Sequence, residues 1–268
     1  MRFSALYVAR CVWQSAEKGV TLYGMENEQD IFNRARLLVG DDGMGRIASK
    51  RVLLFGVGGV GSWCAESLVR SGIVHLTIVD ADCVNITNVN RQLMATTQTV
   101  GSPKVKALKE RLLEINPEAE ICPVQALFTA ENANEFQLDS FDYIIDCIDS
   151  LKDKTALIEL ATHTNAVLFS SMGAALKLDP TRIRVAEFWD VHGDPLARAI
   201  RKKFRKEGRE TGKPFLCVYS EELLENRGEP QEPSNEIVRK ACVNGSLAHI
   251  TAIFGHTLAG LVLQDILK

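Results

Sequence analysis

The stretch from Arg51 to Asp82 constrains this chain more than any other. Arg51-Val-Leu-Leu-Phe55 is an apolar run of strand length that enters Gly56-Val-Gly-Gly-Val-Gly61. A helix-like segment, Ser62 to Ser71, follows, and then a second strand, His75-Leu-Thr-Ile-Val79, ending in Asp80. The first glycine permits a tight turn. The second lets a phosphate approach the backbone, and the third lets helix and strand pack closely. Free amides at the start of the helix then face an anion. Glycines spaced this way also occur in turns that bind nothing. Strands on both sides, and an acid 24 residues after Gly56, favour a nucleotide-binding βαβ unit.

The rest of the chain repeats the theme. Ile121 to Val124, Phe141 to Ile145, Ala166 to Phe169 and Phe215 to Tyr219 read as strands, and Arg182 to Phe188 alternates as an antiparallel strand does. Gly101-Ser-Pro-Lys104 opens a helix with Ser102 at the cap and Pro103 in the first turn; it stops near Asn116-Pro117. Another helix begins near Asp153. Ile31, Phe32, Ala35, Leu38 and Val39 can share one helix face, with Arg34 and Arg36 outside it and a turn at Gly40-Asp-Asp-Gly43. Met44 to Ser49 then leads into the central strand. The expected fold is α/β and Rossmann-like: a mostly parallel twisted sheet continued by antiparallel strands, with helices on both faces. Gly56, Asp80, Asp149 and Gly173 all fall beyond strand ends, where open parallel sheets bind ligands.

Composition sets limits. A 46% hydrophobic and 24% charged chain of 268 residues is an ordinary globule, and a net charge of −3 does not suggest a general nucleic-acid coat. Cys11, Cys64, Cys83, Cys122, Cys147, Cys217 and Cys242 are scattered, with no CxxC pair. This argues for a reducing, cytoplasmic setting and against a zinc knot. Residues 1–24 lack the apolar core and cleavage site of a secretory signal. They read as a loosely held or non-native extension before a natural start at Met25, or as an amino-terminal arm. Ala248 to Leu267 approaches membrane-spanning length, but a parallel sheet needs such a helix as cover, so a membrane role is not expected.

Charge is locally uneven. Arg198 to Lys213 holds eight basic residues and two acids, whereas Glu221 to Glu236 holds six glutamates and only Arg227. Glu229 to Ser234 reads as an exposed loop. The basic segment is either a solvated helix face or a polyanion contact, with Lys202, Lys203, Lys206 and Arg209 outward and Ile200 and Phe204 docked on the core.

A second pattern is more specific than the glycines. Asp80-Ala-Asp82, Asn85-Ile-Thr-Asn88-Val-Asn90-Arg91-Gln92, Gly101-Ser-Pro-Lys104 and Asp146-Cys-Ile-Asp149 together resemble the ubiquitin-activating-type (ThiF/MoeB-like) adenylyltransferases. The resemblance covers about Ile31 to Lys268. Within that superfamily the chain is most similar to the tRNA threonylcarbamoyladenosine dehydratase branch. The cues are Gly59-Val-Gly-Ser62, Lys154 after Asp149, Asp194-Pro-Leu196 and Cys217-Val-Tyr-Ser220-Glu. The resemblance implies one ATP-binding adenylation domain over 25–268. It also implies activation of the carboxylate on N6-threonylcarbamoyladenosine 37 of tRNA as an acyl adenylate, followed by cyclisation.

The same resemblance implies roles. Gly56, Gly58, Gly59 and Gly61 present amides to the phosphates of ATP, and Asp80 accepts from the ribose. Asn88, Arg91, Gln92 and Lys104 surround the triphosphate, with Asp82 either beside them or a turn-former. Asp149 holds Mg2+. Arg34 resembles the arginine that such homodimers donate across the interface. The catalytic set is therefore Arg34, Arg91, Lys104 and Asp149. A sulfur-transfer or cysteine desulfurase partner belongs to the wider family, and Cys217 or Cys242 could capture an acyl adenylate. Three rivals stand beside this reading: an activator of a ubiquitin-like sulfur-carrier protein, a dinucleotide-dependent oxidoreductase and a nucleotide sensor. The oxidoreductase leaves Arg91-Gln92 and Lys104 without a purpose.

Overall fold

Four of the five residues in each of the strands Arg51–Phe55 (β1) and His75–Val79 (β2) are buried. Such continuous burial marks strands covered on both faces, as parallel strands are. The computed structural model describes residues 30–229 and 244–268. The expectations about residues 1–24, a start at Met25, Cys242 and nearly all of the loop from Glu229 to Ser234 lie outside them.

In chain order the other elements are the helix Asn33–Ala48 (α1), which precedes β1, and then Gly61–Arg70 (α2), Lys104–Ile115 (α3), Glu120–Val124 (β3), Tyr143–Asp146 (β4), Leu151–Thr162 (α4), Val167–Ser171 (β5), Ile183–Glu187 (β6), Pro195–Glu207 (α5), Leu216–Ser220 (β7) and Ala248–Leu267 (α6). Among the described residues the strands form one sheet in the order β3-β2-β1-β4-β5-β7-β6. All neighbours are parallel except β6, which closes the edge antiparallel to β7, pairing Ile183 with Ser220 and Glu187 with Leu216.

Period-two alternation divides the core into two layers. Val52, Leu54 and Ile145 face a layer with Leu68, Leu108, Phe254 and Leu258. Leu53, Phe55 and Ile144 face another with Leu157, Ile158, Ile200 and Phe204. Helices therefore cover both faces, as expected. The long apolar helix α6 packs into the first layer through Ile250, Phe254, Leu258, Val262 and Ile266. Burying each of these contributes about 1.5–3 kcal/mol, which gives the apolar run a purpose within the fold.

Local signals explain where helices begin and end. Asp194 caps α5 by accepting the Ala197 amide at 2.8 Å, Pro195 opens it, and Gly208 ends it at φ +64°. The turn expected at Gly40-Asp-Asp-Gly43 is present: Gly40, at φ +74° and ψ 174°, is non-helical and divides α1 into two helical stretches across a kink. One expectation is corrected. In α3 the cap position is Pro103, not Ser102, and the helix starts at Lys104, whose amide is taken by the Asp82 carbonyl at 2.9 Å.

Candidate active site

Strand β1 leads to β2 and β3 on one side, while its other neighbour, β4, leads to β5 on the opposite side. Open α/β sheets bind ligands at such a switch point, outside the carboxyl ends of the strands. Phe55 pairs with Asp146 there, so Gly56 emerges beside Cys147. Gly56 has φ +83°, and a methyl group on it would lie 2.7 Å from the Cys147 carbonyl oxygen. At Gly61 a methyl group would collide with the Gly56 carbonyl. These two glycines are required by the backbone's own packing. Gly58 and Gly59 are different: their amides have no acceptor among the described residues, so they can serve an anion.

Asp80 holds this turn in place. Its Oδ2 accepts the Val57 amide at 2.9 Å and its Oδ1 accepts the Asp82 amide at 2.9 Å. Burial pushes its carboxyl above the ordinary aspartate value, with the Lys104 charge opposing. Each oxygen keeps a lone pair for a sugar hydroxyl. Asp82 is more than a turn-former: its Oδ2 meets Lys104 Nζ at 2.9 Å. Lys104, 4% exposed, sits at the start of α3.

The polar loop after Asp82 is ordered by a reciprocal cap. Asn85 Oδ1 accepts the Thr87 amide at 2.9 Å, and Asn88 Oδ1 accepts the Asn85 amide at 3.0 Å. Asn88 and Gln92 are buried. Among the described residues Asn88 Nδ2, Gln92 Oε1 and Asp82 Oδ1 are buried polar atoms without a hydrogen-bond partner. Such atoms are costly unless something else satisfies them. A polar ligand with both donors and acceptors, bound at the glycine loop, would do so.

On the other side of the switch point, Lys154 and Asp146 form a fully buried pair at 2.7 Å. Asp146 also accepts from Ser170 Oγ at 2.7 Å and from the Ile148 amide at 3.0 Å, and Lys154 donates to the Ile148 carbonyl at 2.9 Å. The pair shapes the turn that presents Asp149, which is exposed. No group of three or more His, Cys, Asp or Glu suited to a metal occurs among the described residues. One carboxylate is nevertheless enough for Mg2+ held mainly by substrate phosphates and water.

The chain does not bring Arg34 to its own site. Its neighbours Ile31 and Phe32 line a cavity of about 430 Å³ with Arg70, Arg111, Glu114 and Ile115, at the far ends of α2 and α3. The glycine loop lies at the other end of α2, about 15 Å away. Ile31 and Leu38 also depart from the expected buried face: they are 58% and 86% exposed, as is Leu37 at 77%. Phe32, at the N-cap position of α1, is buried in the same core layer as Met44 and Ile47, while Ala35 and Val39 pack against that layer only in part.

The basic segment divides. Lys202, Arg205 and Lys206 are exposed on α5, and Lys203 lies 3.6 Å from Glu207. Arg209 does not face outward as expected. It lies past the helix end, where Glu159 at 2.6 Å and Glu207 at 2.8 Å hold it. Cys217 is fully buried in β7 and burial drives its thiol far above the ordinary value, which removes it as an accessible nucleophile.

The fold and this site define a Rossmann-like α/β domain with a glycine loop at the switch point of its sheet and a buried lysine paired with Asp82. Residues 32–268 match the model of the ThiF family, and the chain belongs to that family. It is 38% identical over 240 residues to a tRNA threonylcarbamoyladenosine dehydratase of Bacillus subtilis, covering 88% of this chain and 94% of the relative. A crystal structure of Escherichia coli tRNA N6-threonylcarbamoyladenosine dehydratase in complex with ATP superposes with a TM-score of 0.77 at 31% identity, covering 88% of this chain and 93% of that one. A molybdopterin-synthase adenylyltransferase of Escherichia coli is 33% identical over 175 residues, which is 65% of this chain and 68% of the relative.

Proposed function

We propose that this protein is an ATP-dependent tRNA threonylcarbamoyladenosine dehydratase. The observation that carries the reading is the set of buried, unpartnered polar atoms on Asp82, Asn88 and Gln92 beside Lys104, facing a glycine loop with two free amides. Likeness to the dehydratases over nearly their whole length supports it over activation of a carrier protein. The absence of CxxC pairs points the same way.

In this reading the substrate carboxylate attacks the α-phosphorus of ATP and pyrophosphate leaves. The acyl adenylate is then attacked from within the threonylcarbamoyl group, a proton is lost, and AMP leaves with the former carboxylate oxygen. The chain supplies placement and charge. Gly58 and Gly59 offer amides to the phosphates, Asp80 accepts from the ribose, and Lys104, Arg91, Asn88 and Gln92 receive the growing negative charge. Asp149 would hold Mg2+, which supplies further charge neutralisation at the phosphates. A homodimer would bring Arg34 of one copy to the other's site. Lys202 and Lys206, with Lys203, would meet tRNA phosphates in the cytoplasm. The chemistry transfers no sulfur, so it needs no sulfur-transfer partner.

The direct experiment is nucleoside mass analysis of tRNA incubated with protein and ATP. Loss of one water from threonylcarbamoyladenosine, dependent on ATP, is the expected result. Unchanged nucleoside, together with ATP–pyrophosphate exchange driven by a carrier protein, would move the assignment to the rival.

A further inference from the structure

The Arg91 guanidinium is tied to its own loop: Nη1 donates to the Thr87 carbonyl at 2.9 Å and to Asn90 Oδ1 at 2.9 Å. Its position relative to the glycine loop is therefore set by whatever fixes the main chain of that loop. Four uncharged side chains do so. Ser62, fully buried in the first turn of α2, donates from Oγ to the Gly58 carbonyl at 2.7 Å and accepts the Leu93 amide at 3.2 Å. One oxygen thus joins the glycine loop to the Arg91 loop. Next to it, Trp63 Nε1 donates to the Arg91 carbonyl at 3.1 Å. From α6, Thr251 Oγ1 reaches the same carbonyl at 3.5 Å, and Asn90 Nδ2 donates to the Ser246 carbonyl at 2.9 Å.

Helix α6 is held close enough to take part. A methyl group on Gly255 would lie 2.5 Å from the Val60 carbonyl oxygen and 2.9 Å from Trp63 Cβ, and one on Gly59 would lie 3.1 Å from Thr251 Cγ2. Only glycine at 255 lets the start of α6 seat against both the glycine loop and α2. The Trp63 ring lies edge-on to His256 at 5.8 Å, which limits its rotation.

We propose that Trp63, backed by Ser62 and Thr251, is a positioning residue that holds Arg91 in register with the glycine loop during adenylyl transfer. This rests on the ATP-dependent reading above. Trp63 reaches Arg91 through the main chain, so it acts on the placement of the cation. Charge on the phosphate oxygens grows towards the transition state, and a small misplacement of a cation costs more there than in the ground state. The other phosphate and ribose contacts do not depend on Trp63, so ATP binding should change little.

Trp63→Phe keeps the ring and removes the N–H. The expected result is a fall of about tenfold in kcat for tRNA-dependent ATP–pyrophosphate exchange, the equivalent of one missing hydrogen bond, with KM for ATP within about twofold. In an Arg91→Ala background the same substitution should have no further effect, because the pair acts as a unit. Hydrogen exchange over residues 88–93 should quicken while that over 57–61 holds. Equal losses in both backgrounds, a raised KM with unchanged kcat, or unaltered exchange over 88–93 would overturn the proposal and leave Trp63 as packing between α2 and α6. If the parent protein shows no tRNA-dependent exchange, the functional reading fails separately, and hydrogen exchange alone decides the role of Trp63. Thr251→Val, which keeps the contact with Gly59 and removes the hydroxyl, is the second variant if Trp63→Phe does not fold.

Discussion

Lys104 and Asp82 are joined twice: the lysine amide donates to the aspartate carbonyl at 2.9 Å, and its ammonium meets the aspartate carboxylate at 2.9 Å. The first contact fixes where α3 begins, and the second holds the cation ready at the site. Asp82→Ala should cost the ligand-free protein about 2 kcal/mol, the worth of a hydrogen bond to a charged group. Bound phosphates would replace the missing counter-charge, so ATP should raise the melting temperature of the variant by more than it raises that of the parent. An equal or smaller rise, measured by thermal denaturation with and without ATP, would separate Lys104 from the phosphates.

The buried pair of Asp146 and Lys154 predicts a stability effect away from any ligand. Lys154→Met would leave Asp146 buried and uncompensated, which costs about 3–5 kcal/mol. Urea denaturation reads this directly. A loss below about 1 kcal/mol would mean that Ser170 and the Ile148 amide suffice for the carboxylate.

Asp80 sets a pH dependence. Burial raises its value in the folded protein, with Lys104 opposing. Its contribution to folding stability is therefore complete below the unfolded value and is lost as pH rises through the folded one. Binding of ATP runs the other way, since the ionised carboxylate is the better acceptor for ribose hydroxyls. Affinity should fall as pH drops, beginning above the ordinary aspartate value of about 3.9. Titrations of the parent and of Asp80→Asn across this range test the point. The variant should bind more weakly at neutral pH and lack that limb; the same limb in both would assign it to another group.

Arg34 and the exposed Ile31, Leu37 and Leu38 lie on one short stretch of α1 and its approach. A second copy covering that patch would carry Arg34 towards the partner's site. Arg34→Ala and Lys104→Ala subunits, inactive alone, should recover roughly a quarter of parental activity when mixed at random, since half the dimers would hold one intact site. Leu38→Asp should shift the protein to monomer on size exclusion. No recovery in mixtures that do exchange subunits would remove the trans role.

Helix α5 starts at the site face, where Asp194 accepts the Gly173 amide at 3.2 Å, and carries Arg198, Lys202 and Lys206 away from it one turn apart. Reversing Lys202 and Lys206 to glutamate should weaken tRNA binding. It should also flatten the log–log salt dependence by about 1 for each phosphate no longer bound. Arg209→Ala should instead cost stability and spare the salt slope, because Glu159 and Glu207 already hold that cation. An unchanged slope after the double reversal would make α5 a solvated face.

The sequence alone determined the elements and the chemistry at their ends. Apolar runs of strand length, the glycines from Gly56 to Gly61 and the breaker at Asn116-Pro117 act over a few residues, and backbone dihedrals respond to neighbours at that range. Asp80 was legible as the acid closing the second strand, whereas Arg91, Lys104 and Asp149 stood out only because their motifs resemble those of the ThiF-type adenylyltransferases. Tertiary structure decided what lies far apart in the chain. It left Leu38 in solvent, where the periodicity alone placed it in the core. It turned Arg209 inward, made Asp82 the partner of a lysine 22 residues away, and brought Thr251 to Arg91 across 160 residues. These outcomes depend on which surfaces the whole chain buries together, a sum over interactions that no local pattern contains.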